Sequence, residues 1–137
     1  MHSFLLETLG GFDDFLLYFL SSLAFLALFC RTYSWFTPYN EFRLIREGKI
    51  APAISLGGAM IGFVLPLASA ISHSVSFIDM VIWAALAMAV QFAVFSIVRV
   101  IFKNLVKEIE NDHRAAATML ASFSIAIGIL NAVSMTY

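Results

Sequence analysis

The sequence predicts an all-α integral membrane protein, a four-helix bundle that forms a single domain over residues 1–137. Three observations predict it. Apolar residues make up 61 % of the chain and charged residues only 12 %, whereas a soluble domain has about a quarter charged residues. Four long stretches carry no Asp, Glu, Lys or Arg, and all eight Lys and Arg residues lie in or beside two of the three connections between them.

The first predicted helix covers residues 12–36. Phe15 to Cys30 carries no charged residue, and the aromatic residues of TYSWF after Arg31 suit the headgroup level of a bilayer. Because a helix needs about 20 mostly apolar residues to cross the hydrocarbon core, these aromatic residues complete the span. Asp13 and Asp14 are expected to open the helix, since negative charge complements its positive end.

A short interfacial helix is predicted near residues 38–48, within the charged stretch YNEFRLIREGK. The pair Thr37-Pro38 is typical of a helix start, and Gly48 is a suitable stop. Helical spacing gives this helix one apolar face, made of Tyr39, Phe42 and Ile45.

The other three membrane-spanning helices are predicted near residues 51–74, 79–102 and 115–136. Each corresponds to a charge-free run that reaches or nearly reaches the length of a span. Ser76 and Asp79 have the spacing of a capping box at the start of the third helix.

The positions of the basic residues predict the orientation. The eight Lys and Arg residues are Arg31, Arg43, Arg46, Lys49, Arg99, Lys103, Lys107 and Arg114. The N-terminal segment, the second connection and the C-terminus have none, and Lys/Arg-rich loops stay in the cytoplasm. We therefore predict an N-out/C-out topology, with a first island (residues 39–49) and a second island (residues 103–114) facing the cytoplasm.

The two halves of the chain predict a duplication, with repeat 1 over about 12–76 and repeat 2 over about 77–137. The matched positions are Ala51, Ala53 and Leu56 with Ala115, Ala117 and Leu120. Two helix pairs that run in the same direction make a parallel repeat around an axis along the membrane normal.

Small residues predict where the helices pack, because close backbone approach replaces the hydrophobic driving force in lipid. The candidate packing residues are Gly57, Gly58, Gly62, Ser124, Gly128 and Ala132. The fourth helix has a further small face at the same spacing, made of Thr118, Ser122 and Ala126. Two small faces on one helix predict a homo-oligomer in which one face is intermolecular.

Three intramembrane residues are candidates for a polar role. Gln91 lies at the centre of the third helix, where it either makes an interhelical hydrogen bond worth about 1 kcal/mol or lines a path for an ion or solute. Pro66 frees a backbone carbonyl inside the second helix. Asn131, with the serines that follow Pro66, would form a small polar vestibule.

The sequence argues against several other functions. Cys30 is the only cysteine, so neither an internal disulfide nor a cysteine metal cluster is expected. No metal site is expected either, because His2 and His73 are predicted outside and His113 inside. Without an activated nucleophile or a phosphate-binding glycine loop, we expect no enzyme and no cofactor. At a net charge of −1 nothing resembles a nucleic-acid-binding module.

The islands supply the candidate contacts to a cytoplasmic protein partner or to lipid headgroups. These residues are Arg43, Arg46, Lys49, Lys103, Lys107 and Arg114. The mixed charges of the first island argue against a simple patch for anionic lipid surfaces.

Three motifs, T-P-x-N-E at 37–41, G-x3-G-x3-P-L at 58–67 and G-x2-N-A-x2-M-T at 128–136, resemble the YjfL-like family of small bacterial inner-membrane proteins. The resemblance implies an inner-membrane location and four helices built from a duplicated two-helix unit, with no known activity. Some relatives are encoded near membrane-stress genes of the phage-shock type, which implies a role in envelope maintenance. Lys49 and His113 stand where the family often has Asn, so no ligand role of that Asn is carried over.

We therefore predict a non-enzymatic inner-membrane protein, an oligomeric scaffold or membrane subunit of an envelope-stress or membrane-maintenance system. The alternative is a small ion or solute channel or transporter with a polar path near Gln91.

Overall fold

The computed structural model describes residues 2–135, with side chains from Ser3 onward, and every element in that range is helical. The elements are α1 (His2–Phe36), α2 (Glu41–Arg46), α3 (Ala51–His73), α4 (Phe77–Ile101), α5 (Leu105–Glu110) and α6 (Arg114–Ser134). Of these, α1, α3, α4 and α6 are long and apolar enough to cross a membrane. The all-α class is thus confirmed, with four helices able to span a membrane. The bounds predicted for α3, α4 and α6 are right to within two residues, although residue 136 lies outside the described range.

The predicted start of α1 is wrong, because the helix begins at His2 and not at residue 12. Asp13 and Asp14 therefore lie inside the helix and do not open it. The Tyr18 ring meets the ring of Phe77 at the start of α4, with the centroids 6.4 Å apart. The part of α1 before Tyr18 thus extends past the bundle by roughly 24 Å of helix rise.

The short helix of the first island also begins later than predicted. It starts at Glu41 and not near Pro38, because Asn40 is the N-cap and its side chain accepts a 3.2 Å hydrogen bond from the amide of Arg43. Asparagine is among the most favourable N-cap residues. Gly48 follows the helix end with a φ of +90°, a conformation that favours glycine.

Two residues of the apolar face predicted for this helix contact the rest of the protein, since Tyr39 is buried and Ile45 packs against the core. Phe42 is 43 % exposed, whereas the buried residues of α2 are Glu41 and Leu44. A carboxyl group is therefore buried beside this face, which the sequence analysis did not predict.

A second short helix, α5, was not predicted. It has six residues, as α2 has, and Asp112 follows its end with a φ of +63° as Gly48 follows α2. These matching features agree with the proposed duplication. The duplication and the boundaries of its repeats stay predictions.

The core lies between α3, α4 and α6, and the most extensive contact joins α3 to α6. The predicted cap of α4 is confirmed for Ser76, whose Oγ accepts a 3.1 Å hydrogen bond from the amide of Asp79. The Asp79 carboxylate in return accepts from the amide of Val75, one residue before the N-cap. The C-terminal half of α1 joins this core through an aromatic cluster made of Phe29, Tyr33, Phe36, Phe63, Phe92 and Phe95. Phe29 stacks on Phe63 with the ring centroids 4.6 Å apart.

Candidate functional site

The two charged islands meet at one end of the bundle. The Lys49 ammonium donates a 2.7 Å hydrogen bond to the carbonyl of Glu110. Asp112 Oδ1 accepts hydrogen bonds from the amides of Ile50 at 2.8 Å and Ala51 at 2.7 Å. The end of α5 is therefore bonded to the start of α3.

Asp112 caps α3 from a distant part of the chain. The amides of Ala51 and Ile50, helped by nearby Arg114 and Lys49, lower the pKa of its carboxyl below the ordinary value, although partial burial opposes them. Its positive φ is a conformation that Asp tolerates better than most residues. Sequence reasoning missed this cap because it treated Asp112 only as a charge of the second island.

An open cavity of about 1310 Å³ lies between the C-terminal half of α1 and the two islands. The charged residues in its wall are Arg31, Arg43, Arg46, Lys49, Glu47 and Glu110. The cations outnumber the carboxylates, so the wall carries a net positive charge. Three of the six predicted headgroup or partner residues thus line one site.

The arginines of this cavity keep their charge available. The guanidinium of Arg31 lies 4.9 Å from the centroid of the Trp35 ring, and Arg46 Nε donates a 3.3 Å hydrogen bond to the Phe42 carbonyl. Within the described residues, no carboxylate forms an ion pair with Arg31, Arg43 or Arg46.

The other three predicted contact residues lie outside this cavity. Lys103, Lys107 and Arg114 are all exposed. Lys103 lines a smaller cavity of about 420 Å³ between α1 and α4, together with Arg99.

A buried polar cluster adjoins the basic cavity. Glu41 is fully buried, and a hydrogen bond joins its Oε1 to the Thr37 hydroxyl. Burial raises the pKa of the Glu41 carboxyl above its ordinary value, although the hydrogen bond from Thr37 opposes the shift. Burial also raises the pKa of Tyr39, and the nearby Glu41 charge adds to the effect.

Two polar atoms of this cluster lack a partner. Glu41 Oε2 and the Tyr33 hydroxyl have no hydrogen-bond partner among the described residues. Sequence reasoning counted Glu41 as an ordinary island charge. The spacing of Thr37 and Glu41 could have predicted this contact, because a turn of the chain brings side chains four residues apart close together.

Gln91 lies at the central crossing of α3, α4 and α6. It is 1 % exposed, and its Nε2 donates a 3.1 Å hydrogen bond to the carbonyl of Ser124. Its Oε1 has no donor among the described residues. The side chain is thus directed at a helix backbone.

Three of the predicted packing glycines lie where α3 and α6 touch. A Cβ on Gly62 would overlap the Ser124 carbonyl and lie 2.7 Å from Gln91 Nε2. A Cβ on Gly128 would overlap the backbone of Gly62, and one on Gly58 would overlap Ala121.

Two of the other predicted packing residues, Gly57 and Ala132, do not make the close backbone contact that these three glycines make. Gly57 lies outside the contact, because a Cβ there would meet no atom within 4 Å. Ala132 is half-buried and accepts a 3.3 Å hydrogen bond from Ser69 on its carbonyl.

Pro66 and Asn131 do not join Gln91 in one polar site. Pro66 is buried inside α3, which continues to His73. Asn131 lies on α6 roughly 10 Å of helix rise beyond Ser124, and its Nδ2 has no partner among the described residues. Gln91, Pro66 and Asn131 line neither of the two cavities described above. Among the described residues no three His, Cys, Asp or Glu side chains are close enough to hold a metal ion.

The chain matches the family described as Domain of Unknown Function (DUF350) over residues 4–135. It is 35 % identical over 120 residues to the UPF0719 inner membrane protein YjfL of Escherichia coli (strain K12), covering 88 % of this chain and 91 % of that relative. It is 28 % identical over 115 residues to the UPF0719 transmembrane protein YshE of Bacillus subtilis (strain 168), covering 82 % and 84 %. No solved structure matches the chain.

The chain belongs to the DUF350 family, and the resemblance to YjfL-like proteins is confirmed. Its relatives and its four apolar helices identify it as a multi-pass protein of the bacterial inner membrane.

Proposed function

We propose that this member of the DUF350 family is a non-enzymatic scaffold or membrane subunit that docks a cytoplasmic partner at its island end. The observation that carries the proposal is the pairing of the two islands through Lys49 and Asp112, which brings both charged stretches to one end of the bundle. The link to an envelope-stress or membrane-maintenance system rests on the family resemblance.

A scaffold has more support than a channel. The Gln91 amide is bonded to the Ser124 carbonyl, and the backbones of Gly62 and Gly128 touch beside it. A path through one bundle would have to separate these groups. The cavities described above lie instead at the island end and beside α1.

The proposed orientation places the island end in the cytoplasm. Its support is the confinement of all eight Lys and Arg residues to this end. A reporter fused after Tyr137 should be active outside the cytoplasm and inactive inside it. Activity in the cytoplasm would mean that the island end faces outward, which would contradict docking of a cytoplasmic partner.

Partner docking is tested with a photo-crosslinking residue placed in living cells at Lys107, and separately at Arg43. Both side chains are exposed on the island end. We expect one discrete crosslinked protein at these positions and none at Ser72, an exposed residue at the opposite end of α3. Identical adducts at Ser72, or no protein adduct at either island, would contradict docking.

We also propose a homo-oligomer formed through the second small face of α6. Ser124 and Gly128 face α3, whereas Thr118, Ser122 and Ala126 are exposed. This leaves a face of small residues open to a second copy, where close helix approach is favourable.

The double substitution Ser122→Leu and Ala126→Leu should lower the subunit number measured by light scattering in detergent. Ala89→Leu is the control, because Ala89 is also an exposed small residue but lies on α4. An unchanged subunit number in the double variant, or a lower one only with Ala89→Leu, would exclude this face.

A further inference from the structure

We infer that the cavity between α1 and α3 binds one anionic phospholipid, with the phosphate at the island end and an acyl chain toward the middle of the bilayer. This inference goes beyond partner docking and does not depend on it. It rests on the different chemistry of the two ends of the cavity.

The island end of the cavity suits a phosphate. Arg31, Arg43 and Arg46 reach it without a carboxylate partner in the described part of the chain. Arginine binds phosphate oxygens through a planar set of donors. Lys49 adds a fourth cation. Because the wall contains only two carboxylates, Glu47 and Glu110, its net charge is positive.

The other end of the cavity is apolar. It reaches Ala27 on α1 and Met60 on α3. Ala27 lies nine residues before the end of α1 and Met60 nine residues after the start of α3, so both lie roughly 13 Å of helix rise from the island end. That depth approaches half of the hydrocarbon core, which is about 30 Å thick.

The cavity therefore has the length and the polarity of one lipid in one leaflet. A soluble anion or an acidic peptide would use only the cationic end and leave the apolar end unfilled. The mixed charges of the first island argue against a simple anionic-lipid patch on its surface, but in the cavity wall four cations face only two carboxylates. Trp35, 72 % exposed beside Arg31, suits the headgroup level that this orientation gives it.

The test is native mass spectrometry of the purified, delipidated protein in detergent. Phosphatidylglycerol and phosphatidylethanolamine with the same acyl chains are added separately, and phosphatidylglycerol is also added with excess glycerol phosphate. We expect one phosphatidylglycerol per chain, bound at least about tenfold more tightly than phosphatidylethanolamine. Equal binding of the two lipids would overturn the inference, and full displacement by glycerol phosphate would reduce the site to one for a free anion.

Variants separate the two ends of the cavity. Arg43→Gln with Arg46→Gln should weaken phosphatidylglycerol binding about tenfold or more, and Lys at both positions should restore part of it. Lys107→Gln with Arg114→Gln is the control, because it removes two exposed charges outside the cavity.

Ala27→Trp fills the apolar end without touching the arginines, so it should weaken phosphatidylglycerol binding while the folded protein keeps its melting temperature. Unchanged lipid binding in Ala27→Trp, or an equal loss in the Lys107 and Arg114 control, would contradict the proposed site.

Discussion

Two helix contacts in this bundle are built from opposite kinds of residue. α3 and α6 meet through Gly58, Gly62 and Gly128, so closely that a Cβ would overlap the opposite helix. α1 meets α3 and α4 through large rings, with Phe29 on Phe63 at 4.6 Å and Phe36 on Phe92 at 5.0 Å between centroids. The first contact brings two backbones together, and the second keeps them apart.

The difference explains where the bundle is open. Where glycines meet, no space is left for a side chain, and the buried Gln91 amide donates a hydrogen bond to the Ser124 carbonyl. Where rings act as spacers, α1 is held at a distance from its neighbours, and cavities lie on both of its sides, lined by Met60 on one and Phe95 on the other. Small residues thus close the contact between α3 and α6, whereas large rings leave cavities beside α1.

The largest expected effect comes from adding a methyl group to the glycine contact between α3 and α6. Gly62→Ala should lower the free energy of unfolding by about 3 kcal/mol, because the added Cβ would overlap the Ser124 carbonyl. Unfolding in mixed micelles measures the loss. Gly57→Ala is the control, and it should be neutral or stabilising, since its Cβ would meet nothing within 4 Å. Equal losses would show that the two glycines do not differ in packing.

The aromatic contact should be more tolerant. Phe29→Ala should cost about 2 kcal/mol, less than the 3–5 typical of soluble cores, because a lipid chain can fill the space beside α1. Hydrogen exchange should increase in α1 and not in α6. Phe19→Ala, on the same helix but 47 % exposed, should change neither quantity. Faster exchange in α6 would mean that the two contacts are not independent.

Gln91 tests whether the closed centre depends on its polar group. Gln91→Leu should lower the free energy of unfolding by about 1 kcal/mol, because one interhelical hydrogen bond is lost. Ion and solute flux in liposomes should be absent before and after the substitution. Flux in the original protein that disappears with Gln91→Leu would favour the channel alternative.

The smallest expected effect concerns pH. Because burial raises the pKa of Glu41, the folded state favours its neutral form. Its contribution to stability is therefore fully present below the ordinary pKa and decreases as the pH rises toward the folded-state pKa. Glu41→Gln should flatten the change in melting temperature between about pH 4 and about pH 8. Glu47→Gln, at an exposed neighbour, should leave the slope unchanged; an unchanged slope in Glu41→Gln would mean that the carboxyl is not desolvated.

The sequence predicted best those features that depend on the composition of long stretches of the chain. Charge-free runs predicted the bounds of α3, α4 and α6 because spans must exclude charge along their whole length. The burial of Gln91 followed from the cost of a polar group at the centre of a span. The start of α1 was placed too late because Asp13 and Asp14 are typical of a helix start, whereas the helix continues through the unfavourable pair Gly10-Gly11 back to His2.

The island end could not be predicted in the same way. The burial of Glu41 depends on α2 turning its carboxyl inward, and one acidic residue among several carries no sign of that. The role of Asp112 depends on two amides 61 and 62 residues away. The cavity depends on the spacing of α1, which no local pattern specifies.

The bond from Asp112 to the start of α3 has a consequence for biosynthesis. The amide of Ala51 leaves the ribosome 61 residues before the carboxylate that binds it. The first helical hairpin can therefore insert early, but its second helix stays uncapped until translation has reached the far side of the third span. Maturation of the early half waits for the late half, so a chain stopped after α3 would be an unfinished protein and not a smaller version of the whole.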